Sequence, residues 1–207
     1  MVVASLSTTF CLGLDLGQVS DYSAMVVLRS TDRDPPRRYE GSYLYRWSLG
    51  TAYPDIARET ARLASHVAQQ PQAQEVWLAV DATGVGLPVV DMLWREPMSR
   101  VKMVPVMITG GLTEHKNGLV WHVPKRNLVG VTQTALQTGR LRVASALPEA
   151  ATLTQELQNF QMKIALDTGH ESYGAWREGT HDDLVLALAC ALWCGERKWP
   201  RFAPVGE

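Results

Sequence analysis

Two adjacent carboxylates, Asp182 and Asp183, open the stretch THDDLVLALACALW at 180–193, which otherwise reads as an apolar helix built for a protein interior. Two further aspartates hold comparable places: Asp15 ends the apolar run FCLGLD, and Asp81 ends EVWLAVD. Side chains alternate along a strand, so Cys11, Gly13 and Asp15 share one face, as do Trp77, Ala79 and Asp81. The residue two positions before each of these aspartates is small, which leaves room for another backbone to approach. If the two strands are parallel neighbours, both carboxylates point into one crevice at their carboxyl ends, where open α/β sheets place their sites.

Carboxylates gathered in a low-dielectric crevice raise one another's pKa and cannot all stay ionised without a counter-charge. Hard divalent cations supply it. An all-oxygen set of aspartates and water suits Mg²⁺ or Mn²⁺, whereas zinc calls for Cys and His. Two such ions ~3.5–4 Å apart can activate a water nucleophile and stabilise the leaving oxygen of a phosphodiester. Each aspartate alone also has a plainer reading, since Asp at a strand end forms turns and an acidic pair at a helix start complements its macrodipole. The joint arrangement is what favours a metal site, with Thr180 as the expected helix cap.

The elements that must position these groups can be read from periodicity. Segments 10–17, 22–30 and 37–49 predict three strands joined by short turns, hence antiparallel. A helix opens at Pro54, with Ile56, Thr60, Leu63 and Val67 on one face. Then come a buried strand over 75–81, a helix over 86–96 and a strand over 100–108, an alternation that implies parallel neighbours. Residues 109–124 form an excursion with Asn117-Gly118 as a tight turn. A helix and short strand follow from Lys125, then a helix from Pro148, a hairpin over 160–177 and the closing acidic helix, with an irregular tail from about 198. The fold class expected is α/β: a mixed five-stranded sheet, three antiparallel strands then parallel ones, flanked by helices.

With 207 residues the chain suits one domain with a full-sized core. No apolar run approaches the ~20 residues of a membrane helix, so a soluble protein without membrane contact is expected. Three cysteines, Cys11, Cys190 and Cys194, show no zinc-ligand spacing and read as reduced core residues. The net charge of −1 argues mildly against a nucleic-acid partner, but cations bound by four aspartates would leave the remaining surface with a weak basic bias.

Taken in order, GLDLGQVSDYSAMVVL, VWLAVDATGVGLPVVDML and THDDLVLALACALW resemble the C-terminal nuclease domain of the large terminase subunit of tailed bacteriophages. VPKRNLVGVTQTALQTGRL, between the second and third, also resembles that family, so the likeness spans nearly the whole chain. It implies a ribonuclease H-like fold and a two-metal endonuclease that cuts double-stranded concatemeric DNA during genome packaging. By resemblance the metal ligands are Asp15, Asp81 and Asp183, with Asp182 as a second ligand or structural partner. Asp21, in the first turn, is a further candidate. The implied partners are double-stranded DNA, the ATPase motor domain, the small terminase subunit and the portal, and the implied location is the cytoplasm of an infected bacterial host. The chain lacks the G-x-x-x-x-G-K-[ST] of the family's motor and so reads as the nuclease domain alone, expected to be monomeric.

Other groups could contact DNA. Gly84 and Gly86 lie between a strand and a helix, where backbone N–H groups can approach a phosphate, although a tight connection explains them equally well. Lys116, Lys125, Arg126, Lys163 and Arg177 fall on predicted loops, hairpins or helix starts, where phosphate contacts are sequence-independent, though ordinary solvated charge accounts for any one of them. Lys163 and Arg177 are favoured because the expected hairpin adjoins the acidic helix. His181 could carry a proton or orient a ligand, or simply face solvent. Competing functions are a Holliday-junction resolvase of the same fold, a phosphotransferase fragment of the actin and sugar-kinase type, which also begins with a DLG strand, and a docking domain without catalysis.

Overall fold

The computed structural model describes residues 8–17, 21–32, 34–167 and 182–199, with the backbone alone over 161–167. Its strands are β1 (Thr8–Asp15), β2 (Ala24–Ser30), β3 (Tyr39–Arg46), β4 (Ala73–Asp81), β5 (Val101–Thr109), β6 (His115–Asn117), β7 (Val120–Pro124) and β8 (Leu141–Val143). Its helices are α1 (Tyr53–Ala68), α2 (Gly86–Arg95), α3 (Lys125–Gln137), α4 (Ala150–Asp167) and α5 (Asp183–Gly195).

All eight strands join one sheet in the order β6-β7-β5-β4-β1-β2-β3-β8. The five expected strands form its middle, and the sheet is wider than expected by β8 beyond β3 and by β7 and β6 beyond β5. β1, β2 and β3 are antiparallel in sequence, while β1, β4, β5 and β7 run parallel to one another. The carboxyl ends of four strands therefore lie along one edge of the molecule. The excursion at 109–124 is the β6-β7 hairpin, turned at Gly118, whose φ of +58° suits glycine.

Alternation along β1 and β4 sends side chains to two different cores. Leu12, Leu14, Leu78 and Val80 face α1 and α2, where Ile56, Val89 and Leu93 meet them. On the opposite face, Cys11, Trp77 and Ala79 meet α5. Every residue of α5 from Asp183 to Gly195 is buried, because the sheet covers one side of it while α3 and α4 pack on others. Burial of a leucine side chain contributes roughly 1.5–3 kcal/mol, so Leu184, Leu188 and Leu192 bind this helix firmly to the protein.

One expected element differs. The helix α4 continues to Asp167, through 160–167, which the sequence pattern gave as the first arm of a hairpin. The second arm, with Arg177, lies outside the described residues. Among the described residues no helix is long and apolar enough to cross a membrane, and all three cysteines are free and buried.

Candidate metal centre

β1 and β4 are parallel neighbours, with Gly13 opposite Ala79 and Leu14 opposite Val80. The next pair in that register is Asp15 and Asp81. Both lie on the face that α5 covers, both end their strands, and both are buried, at 3% and 1% exposure. The strand pairing that the sequence required for a shared crevice is thus present.

The third acidic group arrives from α5, and small residues govern how closely. A Cβ added to Gly13 would lie 1.9 Å from the Ala187 carbonyl oxygen and 2.9 Å from the Ala191 nitrogen. One added to Gly195 would lie 3.0 Å from Cys11 Sγ. The end of α5 therefore sits over Cys11 and its middle over Gly13, so the helix runs opposite to β1 and its first turn comes over the strand's carboxyl end. That turn holds Asp183, 4% exposed. The buried thiol of Cys190 has its pKa pushed well up by burial, and next by the charges of Asp81 and Asp15, which places both carboxylates within electrostatic reach of α5.

Asp81 also makes the local contact typical of a strand-end aspartate, its Oδ1 accepting the Thr83 N–H at 2.8 Å. Gly86 packs on the same connection, where a Cβ would meet the Asp81 carbonyl oxygen at 2.1 Å. Gly84 is exposed with φ of +62°, whereas Gly86 is buried and donates its N–H to the Thr83 carbonyl. Asp21 is half-buried, and a Cβ on Gly17 would fall 2.2 Å from the Asp21 carbonyl oxygen.

The helix start differs from expectation. Its N-cap is Asp182, half-buried, with no side-chain cap hydrogen bond, while Thr180 and His181 lie outside the described residues. The cap comes instead from α4, where Glu156 Oε2 accepts the N–H groups of Leu184 at 3.0 Å and Val185 at 3.2 Å. This carboxylate is 5% exposed and its pKa is raised to about 8, chiefly by burial and further by the charge of Asp183, against the lowering effect of the two backbone N–H groups and Arg46. No spacing or motif singles out Glu156 in the sequence.

The proposed DNA contacts are scattered. Lys116 is exposed on β6, with its ammonium 5.9 Å from the Trp121 ring centre. Arg126 is exposed and donates to the Leu112 carbonyl. Lys125 departs from a surface role, being 9% exposed at the start of α3, directly after the carboxyl end of β7. Lys163 falls in α4, where only the backbone is described, and so cannot belong to a hairpin arm.

Three carboxylates are thus brought to one end and one face of the sheet. Among the described residues no three His, Cys, Asp or Glu side chains stand together as a ready ligand group for one ion. What the fold supplies is three buried carboxylates at the same end and on the same face of the sheet, and oxygen donors of that kind fit a hard divalent cation better than zinc.

No protein-family model matches the chain, and no curated protein matches it in sequence. Solved structures do match in shape. The human cytomegalovirus terminase nuclease domain, soaked with Mn, superposes with a TM-score of 0.61 at 12% identity, covering 93% of this chain and 86% of that one. The large terminase nuclease from thermophilic phage G20c gives 0.55 at 20% identity, covering 89% of this chain and 81% of that one. Thermus thermophilus RuvC gives only 0.33 at 12% identity, covering 90% of this chain and 91% of that one. The fold is that of terminase nuclease domains, ribonuclease H-like, as the sequence resemblance implied.

Proposed function

We propose, from a fold shared with viral terminase nuclease domains, that this chain is a divalent-metal-dependent DNA endonuclease acting in viral genome packaging. The observation that carries the reading is the placement of Asp15 and Asp81 as successors in one parallel register, on the face over which α5 brings Asp183. Asp15, Asp81 and Asp183 would hold one or two Mg²⁺ or Mn²⁺ ions, with Asp182 or Asp21 as further ligands. Such ions supply Lewis acidity at a phosphodiester and lower the pKa of a bound water.

The protein's own groups prepare that chemistry in separable ways. Backbone contact between Gly13 and α5 sets the height of Asp183 above the sheet. The Thr83 N–H fixes one oxygen of Asp81 and so orients the other. Lys125, buried after β7, adds a positive charge at this edge, while exposed Lys116 and Arg126 are suited to the phosphates of a duplex. Contacts of that kind read little sequence, so cleavage is expected to be weakly sequence-specific and sensitive to salt.

Plasmid nicking in Mn²⁺ tests the reading directly. Purified protein should nick and linearise supercoiled DNA, and Asp81→Ala should abolish this while the protein still folds. DNA left intact across Mg²⁺, Mn²⁺ and a range of pH would overturn it. A four-way junction supplied beside duplex DNA distinguishes the resolvase alternative, which requires strong preference for the junction.

A further inference from the structure

The N-terminal turn of α5 carries Asp183, yet its cap is not local. Asp182, at the cap position, makes no side-chain cap hydrogen bond. Glu156 on α4 takes the buried N–H groups of Leu184, 28 residues on, and Val185 with a single oxygen, Oε2. Its other oxygen, Oε1, is buried without a hydrogen bond and lies 3.7 Å from Arg46 Nη1. Arg46 is anchored in turn, with Nε 3.1 Å from Glu149 Oε2 and its guanidinium 4.5 Å from the centre of the Tyr22 ring. Tyr22 is the neighbour of Asp21. A line of contacts therefore runs from Tyr22, just before β2, through the end of β3 and α4 to the first turn of α5.

We propose that Glu156 is a positioning residue for the candidate metal centre: by capping α5 from outside, it fixes the turn that carries Asp183 and relieves Asp182 of the capping role. This rests on the metal-site reading above. The physical case is the choice of acceptor. Helix N–H groups are ordinarily satisfied by the cap residue itself or by water, at little cost. A buried glutamate is a costly substitute for either, and its geometry gives something they do not, a rigid tie between the helix start and a second element. Arg46, 3.7 Å from the carboxylate's other oxygen, limits the direction of that tie.

Calorimetric titration with Mn²⁺, supported by the Mn²⁺ paramagnetic resonance signal, separates positioning from other roles. Glu156→Gln retains an oxygen able to accept the same two N–H groups, while Glu156→Ala removes it. Wild type should bind Mn²⁺, the Gln variant should bind within about threefold of it, and the Ala variant should lose roughly 10- to 100-fold, the range seen when a group that orients a metal ligand is removed. Circular dichroism should show both variants folded, and an Ala variant that unfolds leaves the Gln variant and Arg46→Met, expected to lose roughly tenfold by the same cause, to decide. Wild-type affinity in a folded Ala variant would overturn the role. So would a Gln variant as weak as Asp183→Ala, which would make Glu156 a ligand by its charge. Failure of the wild type to bind Mn²⁺ is a separate outcome, which removes the metal reading and this role with it.

Discussion

Gly13 of β1 and Ala187 of α5 meet backbone to backbone, and there is no room between them for even a methyl group. The contact couples stability to site geometry, because the helix that rests on Gly13 is the one that carries Asp183. Gly13→Ala should force α5 away from the sheet and cost roughly 3 kcal/mol, the upper range for overpacking a tight interior. Urea unfolding measures it. A midpoint unchanged from wild type would mean that the helix accommodates the methyl group and that its height is not fixed here.

Asp15 and Asp81 are buried neighbours of like charge, so replacing either should affect activity and stability in opposite directions. Asp15→Asn and Asp81→Asn should each lower the rate of Mn²⁺-dependent nicking by at least about 100-fold, equivalent to ~2.7 kcal/mol of lost transition-state stabilisation. In chelator, the same variants should melt no lower than wild type, since repulsion is relieved. Loss of folding in both would instead assign the aspartates a structural role.

Glu156 predicts a pH dependence of stability. Its folded-state pKa, about 8, lies above the ordinary 4.5, mainly through burial. The folded protein therefore keeps a proton that the unfolded chain releases, and the stabilisation is complete below the ordinary value, declines as pH rises between the two, and is lost above about 8. Glu156→Gln lacks this titration. In metal-free buffer, wild type should lose roughly 3–6 °C of melting temperature relative to the variant between pH 5 and pH 8.5, the shift that 1–2 kcal/mol produces in a domain of this size. Parallel melting curves across that interval would show that the carboxylate is solvated.

Metal binding should itself stabilise the fold. A cation that binds only the folded state at 100 times its Kd adds ~2.7 kcal/mol. Melting temperature should rise with Mn²⁺ in wild type and return to baseline with EDTA. The rise should vanish in Asp15→Asn. An equal rise in that variant would place the ion elsewhere.

The core of the fold was legible because β1 and β4 are uninterrupted apolar runs that stop at an aspartate, and because the helix between β4 and β5 implies a parallel crossover. Small residues at Gly13 and Ala79 pointed to a close neighbour, and α5 is that neighbour. Other features depend on tertiary packing that short-range patterns do not encode. β6 has three residues, too few for a period to register, and β8, expected as a short strand, takes its place beside β3 through long-range pairing. The stretch FQMKIALD fits both an alternating and a helical pattern, since Phe160 and Ile164 are two strand periods or one helical turn apart, and the helix takes it. Glu156 sits in TQELQNF, where a glutamate ordinarily faces water, and only the arrival of α5 and Arg46 gives it a buried task. Lys125 was read as a surface charge for the same reason, its burial following from where β7 delivers α3.

The order of elements along the chain has a consequence for biosynthesis. β1 and β4 emerge from the ribosome long before α5, and they present two acidic groups with nothing above them. The third becomes available only when the last helix of the described structure has been made and has docked. Under the proposed reading, no nascent chain that stops short of Asp183 carries all three carboxylates, so metal binding of the proposed kind should begin only once α5 has been made and has docked.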